Sequence, residues 1–205
     1  VGTDTFDLPN MSAATIDYAD AGFIGGVLAG LTTQTNKVAM VTGEFYDNHR
    51  AMEAGFYKGV AYVNPDIETT AITTGDWADT VKAREACLAV IAQGYDVLFP
   101  CLDAAGAGVA AAAQDSGNVK IVGSVADYAK DYGAEDVTAG SVVFAWNELG
   151  YLESTGEICD GKSHVIGMAD GGLNPVINVE LTKEQQEVYD AAVADLAAGK
   201  IDLSK

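Results

Sequence analysis

Gly106, Gly108 and Ala111 follow the apolar run Val97, Leu98 and Phe99 within the stretch DVLFPCLDAAGAGVAAAAQD, and Asp127 comes about 20 residues further on. A strand, a glycine turn and a helix in that order bring backbone close to a ligand. A GxGxxA turn with a later acid is the pattern that seats a pyrophosphate on a helix N-terminus and a ribose on the carboxylate. Here the loop from Pro100 to Gly106 is longer than the tight turn that pattern needs, and the unit stands third in its run of strand-helix units rather than first. A nicotinamide-dependent oxidoreductase using the Gly106/Gly108 turn is therefore an alternative reading. No GxxxxGK[ST] stretch supplies a triphosphate cradle.

Other catalytic chemistry finds little support. There is no GxSxG elbow for a serine nucleophile, and the two histidines, His49 and His164, fall at a helix start and inside an apolar strand pattern. Neither has the clustered Cys, His, Asp or Glu companions of a metal site. The three cysteines, Cys87, Cys101 and Cys159, are too few and too scattered for a disulfide framework and read as free thiols. The expectation is no enzyme, no cofactor and no metal.

A different set stands out. Phe45 with Tyr46, Trp77 beside Asp76, Asp103, Asp127 with Tyr128, and Trp146 with Asn147 all fall where predicted strands end. In a parallel sheet those exits share one rim. Aromatic faces stack on planar rings while carboxylates and amides fix hydrogen-bond donors, as a small-molecule site requires. Trp77 and Trp146 are stacking candidates; Asp103 and Asp127 are candidate acceptors.

The elements that must position this set follow from periodicity and punctuation. Met11 to Ile16, Asn36 to Gly43, Ile67 to Thr74, Val97 to Phe99 and Asn118 to Val122 read as strands. Asp20 to Leu31, Arg50 to Val63, Val81 to Gln93 and Val109 to Gln114 read as helices. Gly25, Gly26 and Gly30 thin the first helix for close packing against a sheet. Asp79 or Thr80 caps the third helix. Beyond Tyr128, Gly140 to Asn147 is a strand entering a helix to about Ser154, and Ser163 to Met168 is another strand. Ala169 to Pro175 is a glycine-rich loop, and Leu181 to Gly199 is a helix opened by a Thr182/Gln185 capping box. Alternating strands and helices predict an α/β chain with parallel sheets flanked by helices. Val1 to Asn10 starts abruptly, with Val1 and Gly2 reading like the last residues of a strand whose beginning is absent. The division expected is a partial lobe one from residues 1–34 and 129–205, and a lobe two from residues 35–128.

Composition bounds the role. The 205 residues are 49% hydrophobic, enough to bury one or two cores, and 11 Lys+Arg against 30 Asp+Glu leave a net charge of -19. Such a surface repels nucleic acid and anionic membrane and favours solubility. No apolar run approaches the roughly 20 residues of a membrane span.

Five stretches in order, TIDYADAGFIGGVLAGLTTQTNKVAMVTG, AGFYKGVAYVNPDIE, TTGDWAD, QGYDVLFPCLDAAGAGV and AAGKIDL, resemble the basic membrane protein family of solute-binding lipoproteins, also called the purine nucleoside receptor family. The resemblance covers nearly the whole chain. It implies a type I periplasmic-binding-protein-like fold of two lobes, the first apparently incomplete here. It also implies a purine base or nucleoside-like solute in the interlobe cleft, delivery to a membrane ABC permease, and a periplasmic or extracellular, lipid-anchored precursor. By family position it places Asp17 and Phe45 toward the cleft, with the loops at Thr33 to Asn36 and Gly123 to Asp127 as hinges. The chain departs from the family pattern at Val125, where an aspartate associated with sugar hydroxyls is usual, at Phe144, where a lysine is common, and at Asp103, which replaces a glycine. Those departures favour a free base or another small planar solute over an intact nucleoside. An incomplete lobe predicts self-association, and a ligand-sensing regulator on the same fold is a further alternative.

Overall fold

A computed structural model describes residues 12–156 and 160–203; the reading of Val1 to Asn10 and the state of Cys159 lie outside the described residues. In chain order the elements are β1 (Ala13–Ile16), α1 (Tyr18–Thr32), β2 (Lys37–Thr42), α2 (Asp47–Val63), β3 (Glu68–Thr73), α3 (Thr80–Ile91), β4 (Val97–Cys101) and α4 (Gly106–Ser116). They continue with β5 (Lys120–Val125), α5 (Tyr128–Asp131), β6 (Thr138–Phe144), α6 (Trp146–Thr155), β7 (Ser163–Ile166), β8 (Leu173–Ile177) and α7 (Lys183–Ala197), with a 3₁₀ turn at Met168–Asp170.

Six strands form one sheet in the order β3-β2-β4-β5-β6-β8, parallel except for the last, which runs antiparallel to β6. The α/β expectation holds. The central strands are buried along their length, as sheets covered on both faces require. One core lies under α1, α2 and α7 and includes Phe23, Phe56, Phe99 and Met40; the other lies under α3 and α4 and includes Leu98, Val109, Ile121 and Tyr128.

Pro100 was expected to end its strand and instead sits inside β4, paired with Val41 of β2. Proline has no N–H, so on the other side the ladder to β5 stops after Leu98 and Ile121. The buried Ser124 hydroxyl donates to the Pro100 carbonyl at 2.7 Å, satisfying an acceptor that the interrupted ladder leaves over.

The glycines of α1 divide between two neighbours. Gly25 faces the sheet, where a Cβ would meet the Phe99 ring at 2.3 Å. Gly22 and Gly26 face α2, where a Cβ would meet the Met52 and Phe56 carbonyl oxygens at 2.0 and 2.2 Å. Gly55 and Gly59 of α2 return the contact against the Ala19 and Phe23 carbonyls. Packing against a sheet therefore explains only Gly25, while Gly26 and Gly30 serve a helix-helix approach.

The sheet also draws on segments from both of the parts expected from the sequence. Strands β6 and β8 extend the edge begun by β5, and α1 packs on the same face as α2. Outside this sheet, among the described residues, stands one parallel ribbon, β1 with β7, in register from Ala13 with Ser163 to Ile16 with Ile166. The two loops expected as hinges join elements of the six-stranded body itself. The first is tied down: Asp96 accepts from Thr33 Oγ1 at 2.5 Å and from the Gln34 and Thr35 amides at 2.7 and 3.0 Å. Among the described residues the ribbon is joined to the sheet body through Asp17, between β1 and α1, and through Gly167 to Gly172, between β7 and β8.

Candidate functional site

The parallel strands deliver their exit loops to one rim, and the rings there touch in series. Trp146 opens α6 at the end of β6 and lies 5.6 Å from Phe144, centroid to centroid. Phe144 meets Tyr18 edge-on at 5.2 Å, and Tyr18 meets His49 at 5.5 Å. His49 lies 4.7 Å from Trp77, which is nearly parallel to Tyr46 at 6.0 Å. A continuous aromatic track thus connects the exits of β6, β1, β2 and β3. Trp77 is seated on the Gly43 backbone, where an added Cβ would collide with the indole at 2.4 Å.

Asp103 is exposed at the exit of β4 and lies near enough to Tyr18 and His49 for its charge to act on both. Its carboxylate opposes the loss of a proton from Tyr18 and Tyr132 and favours protonation of His49. Its backbone carbonyl accepts from the Tyr132 hydroxyl at 3.0 Å, which fixes the loop. Burial pushes the Tyr18 phenol up to about 12, with the negative groups nearby adding to it and the Asn48 side chain working against it. Burial lowers His49 and favours its neutral imidazole, with the Asp103 charge working against it.

The remaining expected site residues have local partners. The Asp17 carboxylate caps α1, accepting from the Ala19 and Asp20 amides at 2.9 and 3.1 Å. Phe45 stacks under the Arg50 guanidinium at 3.6 Å. Asp127 is 7% exposed, caps α5 and pairs with Lys130 at 3.0 Å. The structure thus brings Trp77, Trp146 and Asp103 together with Tyr18, His49 and Phe144. It gives Asp17, Phe45 and Asp127 structural work beside that group.

Sequence reasoning passed over Tyr18, Phe144 and His49 as members of one surface. Each lies at or beyond a strand end, but only the packing of α1 across the sheet carries Tyr18 between His49 and Phe144. Among the described residues no group of three or more His, Cys, Asp or Glu side chains is placed to hold a metal ion. The glycine turn has a packing explanation. A Cβ on Gly108 would strike the Thr80 carbonyl of α3 at 2.1 Å, and one on Gly106 would strike the Tyr128 and Tyr132 hydroxyls at 2.5 and 2.8 Å.

A mostly parallel sheet flanked by helices, with its strand exits on one rim and a separate strand ribbon beside it, defines an α/β protein of the periplasmic-binding type. The chain belongs to the family of ABC transporter substrate-binding proteins described as PnrA-like, whose profile matches residues 3–200. It is similar to the ABC transporter nucleoside-binding protein BmpA of Lactococcus lactis, 29% identical over 50% of this chain and 29% of that one. It is also similar to a purine-binding protein of Brucella abortus, 24% identical over 94% of this chain and 55% of the relative. The fold matches a solute-binding protein of an ABC transporter system from Aeropyrum pernix with a TM-score of 0.84 at 13% identity, covering 98% of this chain and 68% of that structure. The chain thus spans only part of each relative. Among the described residues no helix is long and apolar enough to cross a membrane.

Proposed function

We propose that this chain is the ligand-holding part of a solute-binding protein that serves an ABC importer, without enzymatic activity of its own. Its solute is small and planar, a purine base or a close relative, bound in a cleft between the rim and a second lobe. The observation that carries this reading is the track of rings from Trp146 through Phe144, Tyr18 and His49 to Trp77, with Asp103 beside it. Aromatic rings in series, met edge-on or tilted except for the stacked Tyr46–Trp77 pair, together with one carboxylate suit a flat ring bearing N–H donors.

A base suits the rim better than an intact nucleoside. At the exit of β5 Val125 presents an apolar side chain, held at φ +70 where β-branched residues are rarely found. The Asp127 carboxylate is committed to α5 and Lys130. Neither is left to pair with the vicinal hydroxyls of a sugar. On this reading the six-stranded body is lobe two and the β1–β7 ribbon belongs to lobe one. Asp17 and Phe45 flank the cleft rather than touch the solute. A membrane permease is the partner, a lipid-anchored periplasmic or extracellular form is the setting, and the open edges of the ribbon are where self-association would occur.

The test is isothermal titration of the purified chain with adenine, hypoxanthine, adenosine and inosine. Bases binding more tightly than their nucleosides is the expected result. Trp77→Ala and Trp146→Ala should each weaken base binding roughly threefold to tenfold, the worth of a lost aromatic stack. If both variants bind as the parent does, the rim is not the site.

A further inference from the structure

His49 is 7% exposed, and its Nδ1 is buried with no hydrogen-bond partner among the described residues. Its ring is packed on three sides by rings, Trp77 at 4.7 Å, Tyr18 at 5.5 Å and Tyr46 at 5.9 Å. An apolar ring of the same shape would fill that space and leave no polar atom unsatisfied, so packing alone does not account for an imidazole here. Next to it, the planes of Tyr46 and Trp77 are within 18° of parallel. Trp77 is fixed on the Gly43 backbone, whereas Tyr46 is 59% exposed and no hydrogen bond holds its side chain among the described residues. At 6.0 Å the two rings touch each other, so a heterocycle between them requires the exposed Tyr46 to swing outward. Resting on the solute-binding reading above, we infer that Tyr46 and Trp77 clasp a nitrogen heterocycle whose edge hydrogen-bonds His49 Nδ1, which makes His49 the residue that reads the edge.

A neutral imidazole carries one donor and one acceptor nitrogen, and the tautomer decides which is Nδ1. Held in one tautomer and set against the ring nitrogen of the base, which accepts in adenine and donates in hypoxanthine, Nδ1 distinguishes the two. Adenine presents a ring acceptor beside an amino donor, and hypoxanthine presents a ring N–H beside a carbonyl. The parent chain therefore prefers one of these bases, and the preference resides in His49.

The experiment compares the full chain with His49→Phe, His49→Asn and Tyr46→Ala, by calorimetric titration with adenine, hypoxanthine and arabinose and by thermal unfolding without ligand. For His49→Phe we expect an unchanged or higher melting temperature, roughly tenfold weaker binding of the preferred base, and adenine and hypoxanthine brought to near-equal affinity. His49→Asn, which keeps a polar atom near the Nδ1 position, should restore part of the preference. Tyr46→Ala should weaken both bases alike. Parental affinity and parental preference in His49→Phe would overturn the inference while leaving the solute-binding reading intact, as would a His49→Phe defect that merely follows its fraction folded. Binding of arabinose in place of both bases would overturn the heterocycle class. Parental chain that binds neither bases nor arabinose would remove the reading on which this inference rests, and the inference with it.

Discussion

Replacing Gly59 by alanine sets helix propensity against helix packing, and the two predict opposite signs. By propensity alone, Gly→Ala inside the 17-residue α2 should stabilise the chain by about 1 kcal/mol. The structure places the added Cβ 2.1 Å from the Phe23 carbonyl oxygen and 2.9 Å from both the Phe23 carbonyl carbon and the Val27 nitrogen of α1. Even weak C–H···O contacts sit at about 3.3 Å or beyond, so the helices must part by roughly 1 Å locally. The neighbours are backbone and cannot turn aside as a side chain would. Separation also loosens the matching contacts of Gly22, Gly26 and Gly55 along the same seam. Overpacking costs of about 1–3 kcal/mol, and occasionally more, then outweigh the propensity gain. We expect a net loss of about 2 kcal/mol, or roughly 4–8 °C in melting temperature for a chain of this size. Gly150→Ala is the control, because a Cβ there meets nothing within 4 Å and α6 should gain about 1 kcal/mol. Thermal unfolding followed by circular dichroism, in one buffer without ligand, reads both. A Gly59→Ala chain that melts higher than the parent, as Gly150→Ala should, would refute the packing argument.

Other perturbations test separate parts of the structure. Asp96→Ala removes the carboxylate that holds the Thr33 hydroxyl and the Gln34 and Thr35 amides, and should cost about 3 kcal/mol in urea unfolding, with Asp96→Asn costing less. Cys87 and Cys101 are buried thiols whose burial pushes each up to about 12, so both should resist alkylation in the native chain and react once it is unfolded, as peptide mass mapping would show. The same groups set an alkaline limit. The folded thiols, raised from 9.0, and the Tyr18 phenol, raised from 10.0 to about 12, hold their protons more tightly than the unfolded chain does. Their contribution to stability is therefore complete below pH 9 and lost as pH rises toward 12. Equilibrium unfolding from pH 7 to 11 should show a decline that begins near pH 9; constant stability across that range would contradict the buried, protonated state of these groups.

Much of the architecture was legible because its signals are local. The β-rich runs at Lys37–Thr42 and Glu68–Thr73, the Asp79 cap on α3 and the Thr182/Gln185 box on α7 depend on residues within a few positions of one another, and the structure has them where their patterns put them. Two misreadings show where local signals fail. The segment ADGGLNP has loop composition, yet it contains a 3₁₀ turn and opens β8, because pairing with Phe144 and Val143 supplies the hydrogen bonds that composition could not announce. Pro100 looked like a terminus, and it is tolerated mid-strand because the missing ladder to β5 is replaced by the Ser124 hydroxyl.

By itself the sequence determined the alternation of strands and helices, and with it a parallel sheet whose exits share a rim carrying Trp77, Asp103 and Trp146. Tertiary structure decided which residues on that rim touch. Tyr18, His49, Trp77 and Phe144 come from four different strand exits, and their contacts depend on the β2–β3 pairing and on α1 crossing the sheet toward β6, which long-range packing sets and no short window of sequence encodes. It also decided that the glycines of α1 serve a second helix as well as the sheet, since a missing side chain records only that something approaches closely, not what does.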